Sequence, residues 1–225
     1  VHRAVRVYPQ NGKIFKKGDR VFTEDDIVFA DPRFFEVFDF HTLAGDPVSV
    51  LDKRHQILLT PALATKYFET DDAATVVGKT IFIDGESYTV TGIVEEAPEN
   101  SHLKFNAVGS IESTSEGRDE QWNNMNLSTY ILLNQHADIR RVTEKLPGVF
   151  RKHMPNFDKL PETGVRMWPI VQPLVDIHLH SKIQGEFEPA GSITTLYIFA
   201  TVAFVVLTLA CVNFVNLVTA RSANR

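Results

Sequence analysis

Residues 196–218 read LYIFATVAFVVLTLACVNFVNLV, and this stretch decides how the chain is organised. Fourteen of its twenty-three residues are Leu, Ile, Phe or Val. A helix of this length rises about 35 Å, which exceeds the roughly 30 Å hydrocarbon core of a bilayer. Each of these apolar residues favours insertion by about 0.3–0.6 kcal/mol, which sums to several kcal/mol. The stretch predicts a transmembrane helix, with a buried helix of a soluble core as the alternative.

The residues that flank this stretch indicate its orientation. No charged residue occurs between Glu188 and Arg221, and Arg225 follows soon after. Basic residues immediately beyond a span mark its cytoplasmic side. A signal peptide does not fit, because the stretch is C-terminal and no small-residue cleavage pattern follows it. We therefore expect a transmembrane helix at residues 193–220, the start of a cytoplasmic loop at 221–225, and residues 1–192 outside the cytoplasm.

Composition narrows the classes of protein that the rest of the chain can form. The chain has 225 residues with 44% hydrophobic content, which suffices for one large or two small domains with a core. Its net charge of -5 argues against a nucleic-acid binder, which normally has a basic face. Cys211 is the single cysteine, so no intrachain disulfide can form.

Short strand-like runs and helix signals predict a mixed α+β domain before the span. Asp31-Pro32 and Thr60-Pro61 each place an N-cap residue before a proline suited to the first helical position. Asp84-Gly85 predicts a type I′ turn in a hairpin over residues 80–94. Residues 112–126 predict a loop. Strands are predicted at residues 1–8, 26–29, 56–59, 128–133, 165–171 and 174–180. An amphipathic helix is predicted at residues 138–153, kinked or split by Pro147, with its inward face formed by Ile139, Val142, Leu146, Val149 and Phe150.

Several short segments together carry a family resemblance. They are DPRFFEVFDF at 31–40, GDP at 45–47, LTP at 59–61, ATKYF at 64–68, GKTI at 78–81, YTVTGIV at 88–94, PENSHL at 98–103, PLVDIHLHS at 173–181 and VNFVNLVTARS at 212–222. In this order they resemble the MacB-like periplasmic core domain of FtsX-type ABC transporter permeases. Each segment alone is a weak signal, whereas the ordered set covers nearly the whole chain.

The resemblance implies a fold with two lobes outside the membrane. One is a porter-like α/β lobe built from both ends of the domain, and the other is a smaller mixed lobe inserted at about residues 50–112. One transmembrane helix follows, which would be the second of the permease.

The resemblance also implies a function, which is that of an ABC transporter permease subunit in the bacterial inner membrane. Such a domain would couple ATP-driven motion to export or handling of a substrate outside the cytoplasm. The implied partners are a separate or fused ABC ATPase, a second permease in a homodimer or heterodimer, membrane lipid and a periplasmic partner protein. The residues alone leave open a single-span membrane-anchored sensor or binding module, and a tail-anchored periplasmic enzyme.

The patterns that suggest catalysis or cofactor binding are incomplete. Residues 77–80 read VGKT, but a P-loop requires glycine where Ala73 stands, and Thr80 opens a predicted strand. His178 and His180 would share one strand face with Asp176, yet no further spaced ligands accompany them. Cys211 lies inside the predicted span, away from any base. We therefore expect no catalytic residue, no metal site and no cofactor, with ATP hydrolysis on a separate ATPase subunit or domain.

Two amides in the span are the candidate functional residues. Asn213 and Asn216 lie three positions apart and so share one side of the predicted helix. Polar side chains in hydrocarbon seek partners, and amides mediate contacts between membrane helices. We expect them to pack against another helix of the permease or of its dimer mate, the alternative being hydration among lipid headgroups.

Overall fold

The computed structural model describes residues 1–177 and 193–222, apart from residues 48, 71, 99, 120, 121, 123 and 124. The chain forms two compact units, Val1–Val171 and Gln172–Arg225. The first is a mixed α/β domain built on a ten-stranded sheet, and the second contains one long helix. The predicted fold class, an α+β domain followed by one candidate transmembrane helix, is confirmed.

The sheet is mixed, and its strands follow the order β10-β1-β4-β9-β6-β8-β7-β2-β3, with β5 beside β8. Two pairs, β4 with β9 and β6 with β8, are parallel, and the other pairs are antiparallel. The strands are β1 (Arg3–Gln10), β2 (Lys13–Lys17), β3 (Arg20–Glu24), β4 (Ile27–Ala30), β5 (Thr42–Ala44), β6 (Gln56–Leu59), β7 (Thr80–Ile83), β8 (Glu86–Val94), β9 (Ala107–Ser110) and β10 (Ser128–Leu132). The predicted strands at residues 1–8, 26–29, 56–59 and 128–133 correspond to β1, β4, β6 and β10.

The helices are short in the sheet unit and long at the end of the chain. They are α1 (Phe34–Val37), α2 (Pro61–Phe68), α3 (Ser115–Arg118), α4 (Ile139–His153) and α5 (Ile193–Ser222), with 3₁₀ turns at Ala73–Val76, Ile111–Ser113, Phe157–Thr163 and Leu174–Asp176. α2 begins as predicted: Pro61 is its first residue, and the Thr60 hydroxyl accepts a hydrogen bond from the Leu63 N–H at 3.4 Å. This cap satisfies one of the N–H groups that a helix start leaves without a partner.

The predicted helix start at Asp31 is wrong. α1 begins at Phe34, after Arg33, and the Asp31 carboxylate does not cap it. That carboxylate instead accepts from the Arg6 backbone N–H at 2.7 Å and from the Arg6 guanidinium at 2.7 Å. A charge-assisted pair with an arginine is stronger than a neutral cap bond, which explains why Asp31 joins β1 rather than α1.

The predicted type I′ hairpin is confirmed. Asp84 and Gly85 both have positive φ, at 51° and 87°, between β7 and β8. The turn is tied to β2, since Asp84 Oδ1 accepts from the Ile14 N–H at 2.9 Å and Asp84 Oδ2 lies 3.0 Å from Lys13 Nζ. Partial burial opposes ionisation, but the Ile14 N–H and the Lys13 ammonium outweigh it and lower the pKa of Asp84.

The sheet also contains strands that the sequence analysis missed. β2 and β3 form a hairpin in which Lys17 pairs with Arg20 across Gly18 and Asp19. Gly18 has a φ of 59°, which suits a tight two-residue connection. The segment at 112–126, predicted as a loop, contains part of a 3₁₀ turn and the short helix α3.

Apolar residues are buried on both faces of the central strands. Their sequences, QILL in β6, IVFA in β4 and AVGS in β9, are nearly continuous apolar runs because both faces are covered. Gly109 in β9 allows the close approach of Phe29, whose ring would lie 2.6 Å from an added Cβ. The largest cluster joins α2 to the sheet and comprises Phe15, Ile27, Phe29, Ile57, Leu59, Leu63, Ala64, Tyr67, Val76, Ile81, Ile83, Tyr88, Val90, Ile93, Ala107 and Ile111.

The C-terminal part of the first unit departs from prediction. α4 runs through Pro147 without the predicted split, and its N-cap Asp138 accepts from the Arg140 N–H at 2.9 Å. No residue of α4 is buried, and Val149 is 40% exposed, so the predicted inward face is only partly covered. The predicted strand at 165–171 is absent, and the described start of the strand predicted at 174–180 is a 3₁₀ turn. A high apolar and β-branched content favours strands but does not supply a pairing partner.

The inserted lobe at residues 50–112 stays a prediction. The two ends of the segment lie together, since the His55 N–H donates to Ser113 Oγ at 2.8 Å. Its strands share the sheet with the flanking sequence, because β7 pairs with β2 and β9 pairs with β4. Any boundary between the lobes therefore crosses a continuous sheet.

Candidate functional site

The most distinctive feature of the second unit is α5. Its segment Thr194–Thr219 has 26 residues and is the one described helix long and apolar enough to cross a membrane. None of that segment is buried. A soluble core helix is mostly buried, so the alternative of a buried helix does not fit. At 1.5 Å per residue, the segment spans about 39 Å.

Threonine side chains along α5 satisfy their own hydroxyls. Thr201 donates to the Tyr197 carbonyl, Thr208 to the Phe204 carbonyl and Thr219 to the Val215 carbonyl, each at 2.8 Å. Such bonds to the carbonyl four residues earlier remove the cost of an unpaired hydroxyl in hydrocarbon. These residues are therefore compatible with a lipid environment.

Asn213 and Asn216 lie on α5 near its C-terminal end, and both are exposed. Their spacing places them on neighbouring positions of one helix side, as the sequence predicted. An amide cannot satisfy all its donors and acceptors within its own helix. Their packing role stays a prediction.

The P-loop-like segment is a turn that leads into β7. The Gly78 N–H donates to the Val90 carbonyl at 2.7 Å, and the Lys79 N–H donates to the Val76 carbonyl at 3.0 Å. Phosphate binding in a P-loop requires such N–H groups to point at the ligand and a helix to follow. Here the N–H groups are used within the protein, and Thr80 begins a strand.

The predicted His178 and His180 lie outside the described residues, and Asp176 ends a 3₁₀ turn. Over residues 1–177 and 193–222, with the gaps given above, no three His, Cys, Asp or Glu side chains cluster closely enough to hold a metal ion. Cys211 is exposed on α5 within the candidate span.

A buried charged cluster joins α2 to β3, and the sequence analysis missed it. Glu24 is 7% exposed, and its Oε1 accepts from the Tyr67 hydroxyl and from Lys66 Nζ, the latter at 2.6 Å. Burial, together with the hydrogen bond to Glu24, raises the pKa of Tyr67. The phenol therefore stays protonated and donates. Lys66 Nζ also lies 4.7 Å from the centre of the Phe22 ring. The spacing of these residues in the sequence gives no sign of the cluster, because 42 residues separate Lys66 from Glu24.

A second polar cluster joins β1 to α3. Arg6 Nη1 donates to the Gly117 carbonyl at 2.9 Å, while its Nη2 lies 2.7 Å from Asp31 and 3.8 Å from Glu112. The hydrogen bond that Arg6 donates to Asp31 is the largest influence, and it raises the pKa of Arg6 despite partial burial. All of these partners of Arg6 belong to the protein itself, so the cluster holds β1 against the segment that contains Glu112 and α3.

A shallow groove of about 590 Å³ follows α4. Its lining mixes aliphatic side chains with two cations and comprises Val1, His136, Ala137, Asp138, Arg141, Val142, Lys145, Leu146 and Val149. No Ser, Thr or Cys is among these lining residues, so the groove offers no hydroxyl or thiol nucleophile.

These features define a class of protein: a folded α/β domain whose chain continues into a candidate membrane-spanning helix. Residues 1–149 match the sequence profile of the MacB-like periplasmic core domain. The chain belongs to that family, as the ordered segments predicted. Domains of this family are components of transporter permeases, and the domain by itself is not an enzyme.

Solved structures provide a comparison of folds. The chain is similar to a domain assigned to a permease protein from Porphyromonas gingivalis, with 21% identity, a TM-score of 0.60, and coverage of 69% of this chain and 72% of that chain. It is also similar to the periplasmic region of MacB from Actinobacillus actinomycetemcomitans, with 12% identity, a TM-score of 0.50, and coverage of 74% and 78%. Among curated proteins, none matches the chain. At these identities the likenesses concern the fold.

Proposed function

We propose that the chain is the extracytoplasmic domain, with the second transmembrane helix, of an ABC transporter permease subunit in the bacterial inner membrane. In this role it couples ATP-driven motion of the membrane helices to the export or handling of a substrate outside the cytoplasm. One observation carries the proposal. A domain of the MacB-like periplasmic core family is followed in the same chain by a 26-residue apolar helix with no buried residue.

The proposed orientation follows from the charges around α5. Arg221 and Arg225 come after the apolar segment, and basic residues flank the cytoplasmic end of a span. Residues 1–192 then lie outside the cytoplasm, residues 193–220 cross the membrane, and residues 221–225 begin a cytoplasmic loop. Within the outer domain, residues 50–112 form the proposed inserted lobe.

The proposed mechanism is a shift between two arrangements of the membrane helices. ATP binding on a separate or fused ATPase can favour one arrangement only if contacts differ between the two. Asn213 and Asn216 provide such contacts, since a hydrogen bond from a side-chain amide to a neighbouring membrane helix is worth about 0.6–2 kcal/mol. Two such bonds approach the energy that separates a minor state from a major one.

The proposed partners follow from the same reasoning. The chain needs an ABC ATPase, a second permease copy in a homodimer or heterodimer, and lipid around α5. A periplasmic partner protein would receive or deliver the substrate. Nucleic acid is not among the partners, because the net charge is -5.

The experiment that tests the proposal uses the intact permease with its ATPase, reconstituted in lipid. Replacing Asn213 and Asn216 together with leucine removes the amide contacts and keeps the helix apolar. We expect transport, or substrate-stimulated ATP turnover, to fall at least about tenfold, which corresponds to roughly 1.4 kcal/mol. The melting temperature of the sheet unit should not change.

A matched control replaces Val202 and Val205 with leucine, because these residues have the same spacing on α5 and are similarly exposed. This control should retain transport. Full transport by the double asparagine variant would contradict the coupling role and would favour a single-span anchor for a sensor or binding module.

A further inference from the structure

The hairpin β2–β3 gives the sheet an open edge. Within the described residues, β3 pairs with β2 on one side and with no strand on the other. Its central side chains are accessible, with Val21 51% exposed and Phe22 47% exposed. The β2–β3 register has no bulge, and β3 contains no proline. Exposed edges of this kind are templates for another strand, and proteins usually block them unless they are used.

The geometry of the hairpin determines which backbone groups face the open edge. Lys17 and Arg20 flank a two-residue connection and therefore form a hydrogen-bonded pair. Pairs alternate along antiparallel strands, so Phe22 and Glu24 also direct their N–H and C=O groups to β2. Val21 and Thr23 direct theirs outward. The open edge thus offers two donors and two acceptors to a further strand.

The sequence of β3 is complementary to its own reverse. It reads Arg20-Val21-Phe22-Thr23-Glu24. In an antiparallel pair of two copies centred on Phe22, each Arg20 lies opposite the other copy's Glu24. Each Val21 then lies opposite a Thr23, and the two Phe22 rings meet. Opposite charges, β-branched pairs and aromatic pairs each stabilise cross-strand contacts.

The α2 side of the sheet already positions the charged ends of β3. Within the described residues, both hydrogen bonds to the Glu24 side chain end on Oε1. Arg20 contacts the Lys66 carbonyl and the Glu69 carboxylate at the end of α2. One face of Phe22 packs edge-on against Tyr67 with ring centres 6.0 Å apart, while nearly half of its surface is accessible.

We propose that β3 is the contact between two copies of this chain, paired antiparallel through Val21 and Thr23 with Phe22 on the twofold axis. A second copy is the occupant that fits, because its β3 places Arg20 opposite Glu24 and Phe22 opposite Phe22. Glu24 is 7% exposed and its Oε2 accepts no hydrogen bond within the described residues, so this oxygen is the one that the other copy's Arg20 contacts. Such an isologous contact closes the assembly at two copies and removes the open edge. The proposal rests on the permease pairing proposed above and locates one contact within it.

The test is disulfide crosslinking of the intact permease in native membranes, with every other cysteine, including Cys211, replaced by serine. At the centre of the pair, the two Phe22 positions are non-hydrogen-bonded neighbours with Cα atoms about 4.5 Å apart, which suits a disulfide. We expect the Phe22→Cys variant to crosslink to a dimer as its major product on mild oxidation. The control is Phe82→Cys, since Phe82 is 42% exposed but lies on β7, inside the sheet.

A second pair of variants tests the hydrogen bonds at the edge. Thr23→Pro removes an outward donor and leaves the pairing with β2 unaltered, whereas Thr23→Val keeps that donor. In the Phe22→Cys background, Thr23→Pro should reduce crosslinking at least about tenfold and Thr23→Val should not. Arg20→Glu, which places like charges opposite each other, should also reduce it and does not depend on a proline being tolerated.

The results separate this contact from the proposed function. If Phe22→Cys crosslinks no better than Phe82→Cys, the β3 contact is wrong, even where differently tagged permease copies co-purify and the permease pairing holds. Equal crosslinking by Thr23→Pro, Thr23→Val and Arg20→Glu would also overturn it, because a contact through the β3 edge requires the first and third to weaken it.

Discussion

The sheet unit and α5 contain similar apolar residues, but the sheet unit buries these side chains and α5 exposes them. Leu59 in β6 is fully buried, whereas Leu207 in α5 is 62% exposed. The apolar residues of the sheet occur in runs of about four, separated by turns, so the chain can fold back and cover both faces. Those of α5 occur in one unbroken stretch that a single helix cannot cover. The sheet unit therefore buries its apolar side chains within itself, whereas α5 needs an apolar environment outside itself to cover them.

Of the changes considered, removal of α5 should have the largest effect, and the property that it changes is aggregation in plain buffer. A chain that ends at Ile193 should stay monodisperse in plain buffer, whereas the full chain should aggregate without detergent. The physical reason is the large exposed apolar area of the helix, which exceeds what monomeric soluble proteins present. Size-exclusion chromatography with light scattering checks this. A monodisperse full-length monomer in plain buffer would erase the distinction between the two units.

Truncating one leucine in each unit should give the next largest effect. Leu59→Ala should lower the free energy of unfolding of the sheet unit by about 2–5 kcal/mol, because it leaves a cavity in a close-packed core. Leu207→Ala, the same change in α5, should leave that free energy unaltered. Chemical denaturation of both variants in mild detergent, followed by near-UV circular dichroism, checks this. Equal losses would mean that α5 contributes to the core of the sheet unit.

A hydroxyl deletion sharpens the comparison for polar groups. Tyr67→Phe leaves the buried Glu24 with one fewer donor and should cost about 1–3 kcal/mol of unfolding free energy. Tyr197→Phe in α5, where the side chain is 67% exposed, should cost nothing measurable. Thermal unfolding of the two variants side by side checks this. A neutral Tyr67→Phe would mean that Lys66 alone satisfies Glu24.

The smallest expected effect concerns acid. The pKa of Asp84 is lowered in the folded state, so its contribution is present above the pKa of the unfolded chain, about 3.9, and is lost as pH falls through the folded value. Asp84 is 44% exposed at its side chain, so solvent screening limits that contribution to below about 1 kcal/mol. Asp84→Asn should therefore lower the melting temperature slightly at pH 7, and the difference should vanish once the pH is well below the lowered pKa of Asp84.

If the melting temperatures of Asp84→Asn and the unaltered chain still differ at low pH, Asp84 acts through the geometry of the turn rather than through its charge. Melting curves between pH 2 and pH 7 distinguish the two. The matched change in α5 does not exist, because Thr194–Thr219 contains no acidic residue.

The parts of the fold that the sequence predicted are those with a local cause. Thr60-Pro61 and Asp84-Gly85 encode a helix start and a turn within two residues, and α5 is encoded by its length and polarity. The family followed from ordered segments rather than from any one residue. Asn213 and Asn216 lie where the sequence placed them, and their packing role stays a prediction.

The parts that the sequence did not predict depend on distant partners. Asp31 has the residue type of a cap, but Arg6 competes for its carboxylate from 25 residues away. Residues 165–171 have strand-like composition without a neighbour to pair with. Glu24 and Lys66 meet only because β3 and α2 fold together. The β2–β3 hairpin was the avoidable omission, since Gly18-Asp19 between two apolar runs is a recognised turn signal.

The order of strands in the sheet means that some strands are synthesised long before the strands with which they pair. Arg3 in β1 pairs with Leu132 in β10, so 129 residues must be synthesised after the first partner before the second exists. At 5–20 residues per second, this interval is roughly 6–26 s. β4 waits similarly for β9, since Ile27 pairs with Ala107. β1 and β4 can pair with each other early, but for that period the outer edge of each strand lacks its second neighbour and presents unpaired backbone to other chains. The nascent domain should therefore be most prone to aggregation before residue 132 is made, and slowing translation upstream of that codon should reduce the yield of folded protein.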